Sequence, residues 1–185
     1  MSRLRMHDLR RFFGRIKSDE SGLALVEFAV LCPVLLVLYL GGVQLCETIA
    51  CARKVTSTAR AVSDLTTQYS SVSPQQVDAI MSTSTQIMYP YDGSKAVVRV
   101  SELRINNNGV ARVVWSRAVN GVPRKNNSKV SIDANLATPG TMYIFSEVEF
   151  KLTPVIPIVF KKDFHLSESF VMLPRISTKV NCSDC

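Results

Sequence analysis

Between Leu23 and Cys46 this chain runs for 24 residues with a single charge, the carboxylate of Glu27. The stretch from Phe28 to Cys46 is 19 uncharged residues by itself. As a helix it spans roughly 28 Å, close to the hydrocarbon thickness of a bilayer. A secretory signal peptide carries a shorter apolar region of about 7–15 residues, followed by a small-residue cleavage site. No A-x-A-like site follows this run, so it reads as a membrane helix. A carboxylate at the bilayer centre costs about 2.5–3.5 kcal/mol, so Glu27 needs a reason to be there.

Charge sets the orientation. Residues 1–22 hold Arg3, Arg5, Arg10, Arg11, Arg15 and Lys17 against Asp8, Asp19 and Glu20, a net charge of +3. The positive-inside rule keeps such a leader in the cytoplasm and sends the residues after Cys46 outside. One span with one external domain is the simplest topology.

These residues carry a resemblance. Gly22-Leu23-Ala24-Leu25-Val26-Glu27-Phe28, followed by Pro33 and Gly41, resembles the start of a type IV prepilin, in particular the TadE-like minor pseudopilins of Tad (Flp) pilus systems. Pro139-Gly140-Thr141, leading into Glu147-Val148-Glu149-Phe150 and Pro154, extends the resemblance toward the C-terminus. It implies cleavage after Gly22 by a prepilin peptidase, with Leu23 as the new N-terminus and Glu27 serving assembly. Leu23 stands where ordinary type IV pilins commonly have Phe or Met. The resemblance further implies a non-enzymatic, pilin-like subunit of the bacterial inner membrane or of the pilus. Its partners would be other pilins or pseudopilins and the Tad inner-membrane assembly proteins, besides the lipid bilayer.

Physical chemistry gives Glu27 two readings. After cleavage, the Leu23 ammonium of a neighbouring subunit can neutralise the carboxylate. That pairing would fix the stagger between adjacent helices, because a shifted subunit leaves both charges unpaired in apolar surroundings. Alternatively Glu27 reaches water at the cytoplasmic interface, since Phe28–Cys46 can span without it. Pro33 and Gly41-Gly42 weaken the helix, although both residue types are common in membrane spans.

Past the membrane the helix continues. Cys51, Val55, Ala59, Val62, Leu65 and Tyr69 form one apolar stripe, and Ser70, Ser71 and Ser73 close it. Ser73-Pro74-Gln75-Gln76 reads as a capping box opening a second helix, with Val77, Ile80, Met81, Ser84, Ile87 and Met88 on one face. Pro90 and Asp92-Gly93 then make a turn. Asn106-Asn107-Asn108-Gly109 is a hairpin signal between strands over Val97–Ile105 and Val110–Val119. The apolar phase of the first strand slips by one between residues 100 and 103, which predicts a bulge near Ser101-Glu102. Further strands alternate through Met142–Leu152 and Phe164–Met172, and residues 120–140 read as a long loop. The pattern predicts an α+β fold: a long N-terminal helix, a short second helix, and an antiparallel sheet of about four strands covered on one face.

Composition narrows the function. Residues 23–185 hold 16 Lys and Arg against 12 Asp and Glu without a basic block, so no nucleic-acid partner is expected. His7 lies in the leader and His165 is the only other histidine, too few for a histidine-based metal cluster. No phosphate-binding loop or HExxH motif occurs, and no cofactor is expected. Cys32 and Cys46 belong to the span. Cys182 and Cys185 form a C-x-x-C in the tail, outside any βαβ unit, which argues against redox catalysis. In an oxidising periplasm they are expected to bond with each other, or one of them with Cys51.

The expected organisation is therefore a cytoplasmic leader over 1–22, removed on processing, a transmembrane and assembly helix over 23–46, an exit helix over 47–70, and a periplasmic α+β domain over 71–185. An uncleaved, single-span anchor for a periplasmic binding or sensor module is the alternative. The Gly22/Glu27 pair, which an ordinary anchor does not need, separates the two.

Overall fold

A computed structural model describes residues 21–154, 156 and 162–185. The basic leader that sets the expected orientation lies outside the described residues, apart from its last two. The elements run in the order α1 (Ser21–Thr67), β1 (Ser71–Val72), α2 (Pro74–Ser84), β2 (Val97–Ile105), β3 (Ala111–Val119), β4 (Lys129–Val130), β5 (Met142–Leu152), β6 (Phe164–Met172) and β7 (Asn181–Cys182). Together they make an α+β fold with a pilin-like layout: a long apolar N-terminal helix, a short second helix and an antiparallel sheet of five strands. The chain divides into two compact units, one ending at Gln44 and the other beginning at Leu45.

In the first unit α1 stays one helix through Pro33 and Gly42. Its large apolar side chains, from Leu23 to Tyr39, are exposed. This is the only described helix long and apolar enough to cross a membrane, which fits a single-pass membrane protein.

In the second unit α1 packs on the sheet. Cys51, Val55, Ala59 and Val62 are fully buried, as the periodicity predicts. The end of the expected stripe differs, because α1 stops at Thr67, Leu65 is half-buried and Tyr69 is exposed. Hydroxyl side chains complete the buried face instead. Thr58 donates to the Lys54 carbonyl at 2.9 Å and Thr66 to the Val62 carbonyl at 2.8 Å, so each is buried with its own polarity satisfied. The serines expected to end the exit helix do more than that: Ser71–Val72 pairs in parallel with Asn181–Cys182.

The capping box at Ser73 forms as predicted. The Gln76 amide N–H donates to Ser73 Oγ at 3.3 Å, and the Ser73 amide N–H donates to Gln76 Oε1 at 2.8 Å. Val77, Met81 and Ser84 are the buried face of α2. Arg117 of β3 holds the helix from outside through its ion pair with Asp78.

The large sheet has the order β4-β3-β2-β5-β6. Its fifth strand, β4, comes from the stretch expected to be loop. The register shift falls at Glu102/Leu103, beside the expected Ser101-Glu102, but the extra residue sits on the partner strand. β2 pairs with β5 without interruption, while the register with β3 jumps from Glu102↔Trp115 to Leu103↔Val113. The extra residue is thus Val114 of β3. β2 alternates normally, and its apolar residues change faces: Val98 and Val100 meet α1 and α2, whereas Leu103 and Ile105 point to the other side.

That other side is covered too, contrary to the expectation of a sheet packed on one face. Leu103, Ile105, Val113, Tyr143 and Phe145 form a second cluster with Val130, against which Ile132 and Leu136 pack. The long loop turns back over this cluster. Gly140, at φ +83°, brings it into β5 in a conformation that disfavours a side chain, and its N–H donates to the Ile105 carbonyl at 2.9 Å.

On the same face, nearer the loop's beginning, charge replaces apolar contact. Glu147 accepts from Arg124 Nε and Nη2, each at 2.6 Å, and from Arg99 Nη1 at 3.2 Å. Burial pushes the Glu147 carboxyl up, but the two guanidiniums outweigh it and hold the group below the usual carboxylate range. A lowered folded-state pKa stabilises the fold above the ordinary glutamate value and loses that contribution as pH falls through the folded value. Glu147→Gln is therefore expected to lower stability by about 1–3 kcal/mol at neutral pH. The gap to wild type should close as the pH drops below about 4. Urea titrations of both proteins across that range check this; a gap that widens on acidification refutes it.

Candidate functional site

The residues singled out in sequence lie in two places. Gly22, Leu23 and Glu27 occupy the first turns of α1, and all three are exposed. Glu27 lies four positions after Leu23, which stacks them on one face about one turn apart. Among the described residues, no cation lies within ion-pair distance of Glu27. A Cβ built on Gly22 meets nothing within 4 Å. The described residues therefore give no steric reason for a glycine there, and glycine in a helix costs about 1 kcal/mol relative to alanine.

The cysteines separate sharply. Cys182 and Cys185 are joined by a disulfide, whereas Cys51 is a free thiol. Cys51 is completely buried in the core shared by α1 and the sheet. Burial, with the nearby Glu47 charge, pushes its thiol up to about 11. A thiol so seldom ionised is a packing group. A clip from the tail to Cys51 is therefore not the arrangement present; the tail closes on itself.

What fastens the tail was not visible as a motif. Val180 is fully buried, and side chains of the sheet take both of its backbone polar groups. Its N–H donates to Glu102 Oε1 at 2.7 Å, and its carbonyl accepts from Trp115 Nε1 at 2.8 Å. Glu102 and Trp115 stand opposite each other on β2 and β3, directly before the Val114 bulge. On either side of this grip, the Asn181 N–H donates to the Ser70 carbonyl at 3.1 Å, and the Arg175 N–H to the Thr67 carbonyl at 3.0 Å. Arg175 also pairs with Asp64 of α1. The last residues of the chain thus bind the end of α1 to the sheet. The one sequence signal was Glu102, an acid on the helix-facing side of an apolar strand.

No group of three or more His, Cys, Asp or Glu side chains among the described residues could hold a metal ion. His165 lies exposed on β6. Ion pairs of Arg99 and Arg124 with Glu147, Arg117 with Asp78 and Arg175 with Asp64 fasten elements to one another.

Compared with known proteins, residues 22–64 match the family of TadE-like proteins. The match covers the span and most of the exit helix, and it is consistent with a TadE-like protein associated with a Tad pilus. No curated protein and no solved structure matches the chain.

The grip on Val180 yields a test. Burial pushes the Glu102 carboxyl above the usual carboxylate range, opposed by its hydrogen bonds and by Lys179 and Arg104. A raised folded-state pKa means that the stabilising contribution is complete below the ordinary glutamate value and is lost as pH rises through the folded value. Glu102→Gln keeps an acceptor for the Val180 N–H without the buried charge. It should equal or exceed wild-type stability at neutral pH, with the difference shrinking toward pH 4. Glu102→Ala leaves that N–H unpaired and should cost about 1–3 kcal/mol. Thermal melts at two pH values decide it; a Gln variant as unstable as the Ala variant would overturn the argument.

Proposed function

We propose that this protein is a minor pilin-like subunit of a Tad (Flp) pilus machine. In this reading a prepilin peptidase removes residues 1–22, cutting between Gly22 and Leu23. The mature chain sits in the bacterial inner membrane with its N-terminus at the cytoplasmic face and residues after Cys46 in the periplasm, and it can pass into the pilus. Its partners are other pilins or pseudopilins and the Tad inner-membrane assembly proteins. Its role is structural, with no catalytic step.

One observation carries the proposal: the TadE-like match begins at Gly22, at the head of a helix whose following side chains are apolar and exposed. Among the described residues nothing packs against Gly22, so a requirement outside the chain accounts for it better than packing does. Glu27 supports the same view. Membrane anchoring alone disfavours a carboxylate at this place, whereas the ammonium of a neighbouring mature subunit would neutralise it. A subunit one step out of register would leave both charges bare. Glu27 is thereby given the task of setting the stagger between helices.

Intact mass of the protein from its native host tests the processing step. The mature species should begin at Leu23, and Gly22→Phe should accumulate a precursor longer by 22 residues. A native protein that keeps its leader while the peptidase is active would favour the uncleaved anchor. The assembly step has its own test. Glu27→Ala removes a poorly solvated charge, so membrane retention should persist while pilus formation fails, as scored by shearing and microscopy. Normal piliation would reduce Glu27 to an interfacial residue.

A further inference from the structure

At the turn end of the β2–β3 hairpin, an open cavity of about 780 Å³ lies between the hairpin tip, the start of β5 and the segment leading into β7. Its polar lining is Arg104, Asn106, Asn107, Asn108, Thr178 and Lys179. The volume falls within the roughly 300–1,000 Å³ typical of small-ligand sites. It belongs wholly to the external domain and has no part in the assembly role proposed for α1.

The cavity's two cations differ from three arginines elsewhere in the domain. Arg99, Arg117 and Arg124 of the sheet and its loop are each tied to a carboxylate. Among the described residues, the Arg104 and Lys179 side chains have neither an ion pair nor a hydrogen bond, and no acid lines the cavity. The nearest carboxylate on the same strand face is Glu102. It feels both cations but is buried and engaged by the Val180 N–H, so it does not neutralise the opening. Two exposed cations facing one concavity without counter-charge repel each other and attract an anion.

The rest of the lining narrows the ligand. Three consecutive asparagines supply amide donors and acceptors. The Asn106 side-chain oxygen Oδ1 is already used by the N–H groups of Asn108 and Val110, at 3.1 and 2.8 Å, which leaves its NH₂ free to donate outward. Thr178 adds a hydroxyl. Apolar surface is limited to Ile105 and Met142, with no aromatic ring on which a neutral sugar or a base could stack. A lipid tail or a nucleotide is poorly served by such a surface, and a lone inorganic anion would leave most of the space and the amides unused.

We propose that this cavity binds a carboxylate-bearing saccharide, with the acid held between Arg104 and Lys179 and the sugar hydroxyls on the Asn106–Asn108 amides and Thr178. The detergent-solubilised full chain is titrated calorimetrically, at physiological ionic strength, with trigalacturonate, maltotriose and inorganic phosphate. Trigalacturonate should bind, and Arg104→Ala and Lys179→Ala should each weaken it about 10-fold or more. Lys129→Ala, outside the cavity, should leave it unchanged. Melting temperatures confirm that the variants fold, and Arg104→Gln replaces Arg104→Ala should the latter melt early. Absence of trigalacturonate binding overturns the proposal, as does binding that survives the loss of both cations. Equal affinity for maltotriose would remove the role of charge, and equal affinity for phosphate would reduce the cavity to a general anion site; either result overturns the saccharide assignment.

Discussion

The unit that begins at Leu45 depends on one seam, the line along which α1 lies on β5. Ser146 donates to the Ala59 carbonyl at 2.7 Å and accepts from Ser63 at 2.8 Å, with all three residues buried. A helix carbonyl already engaged within its helix still has a second lone pair, and here a strand hydroxyl takes it. Alanine and serine are small enough to let the two backbones come this close. A larger residue at either place would separate the layers, and Val98, Val148 and Val62 would lose their shared core. The polar bond also fixes the rotation and height of the helix on the sheet, which apolar contact alone defines poorly.

From that seam the two faces of the sheet take different roles. One face meets helices and is sealed at its end by Val180, gripped by Glu102 and Trp115. The other is apolar near the hairpin and ionic near the start of the long loop, where Glu147 draws Arg99 and Arg124 together. The Val114 bulge permits the division on β3, placing Val113 and Trp115 on opposite faces although they are two residues apart. On β2 no bulge is needed, because Glu102 occupies the helix-facing position where the apolar pattern breaks off. That acid is the residue that holds the chain's end.

Much of this architecture was legible in local signals. The capping box at Ser73, the hairpin at Asn106–Gly109 and the alternating strands each depend on neighbours in sequence, and each formed where the pattern put it. The single apolar helix likewise followed from length and hydropathy. What escaped was nonlocal. The phase slip in β2 had two physical solutions, a bulge or a change of face, and only the partner strand decides between them. The loop over the second face contains ordinary loop residues, and its few apolar ones, Val130, Ile132 and Leu136, are too scattered to show a period. The tail carried no signal beyond its cysteines, because backbone atoms of Val180 make the decisive contacts. Thr58 and Thr66 were overlooked for a similar reason: a hydroxyl that bonds back to its own helix behaves in the core like an apolar residue.

A physical asymmetry separates the two sets of candidate residues. Inside the domain, the unusual residues find explanations in the chain itself: Cys51 fills the core, Glu102 receives an amide, Glu147 receives two guanidiniums, and Gly140 takes a conformation that side chains disfavour. At the head of α1 the explanations stop. Among the described residues, nothing lies against Gly22, and no cation pairs with Glu27, which is exposed on an apolar helix. A sequence that agrees with its own fold at nearly every level, and departs from it at two neighbouring points, locates the demand outside the fold. A bilayer would account for the exposed leucines and valines, but it favours neither the glycine nor the acid. The proposed function supplies two further partners, one that would require a small residue at position 22 and one that would supply positive charge near position 27. The proposed peptidase and neighbouring subunit would meet those two needs in a single chain of events, because a cut after Gly22 would create the ammonium that the proposal pairs with Glu27.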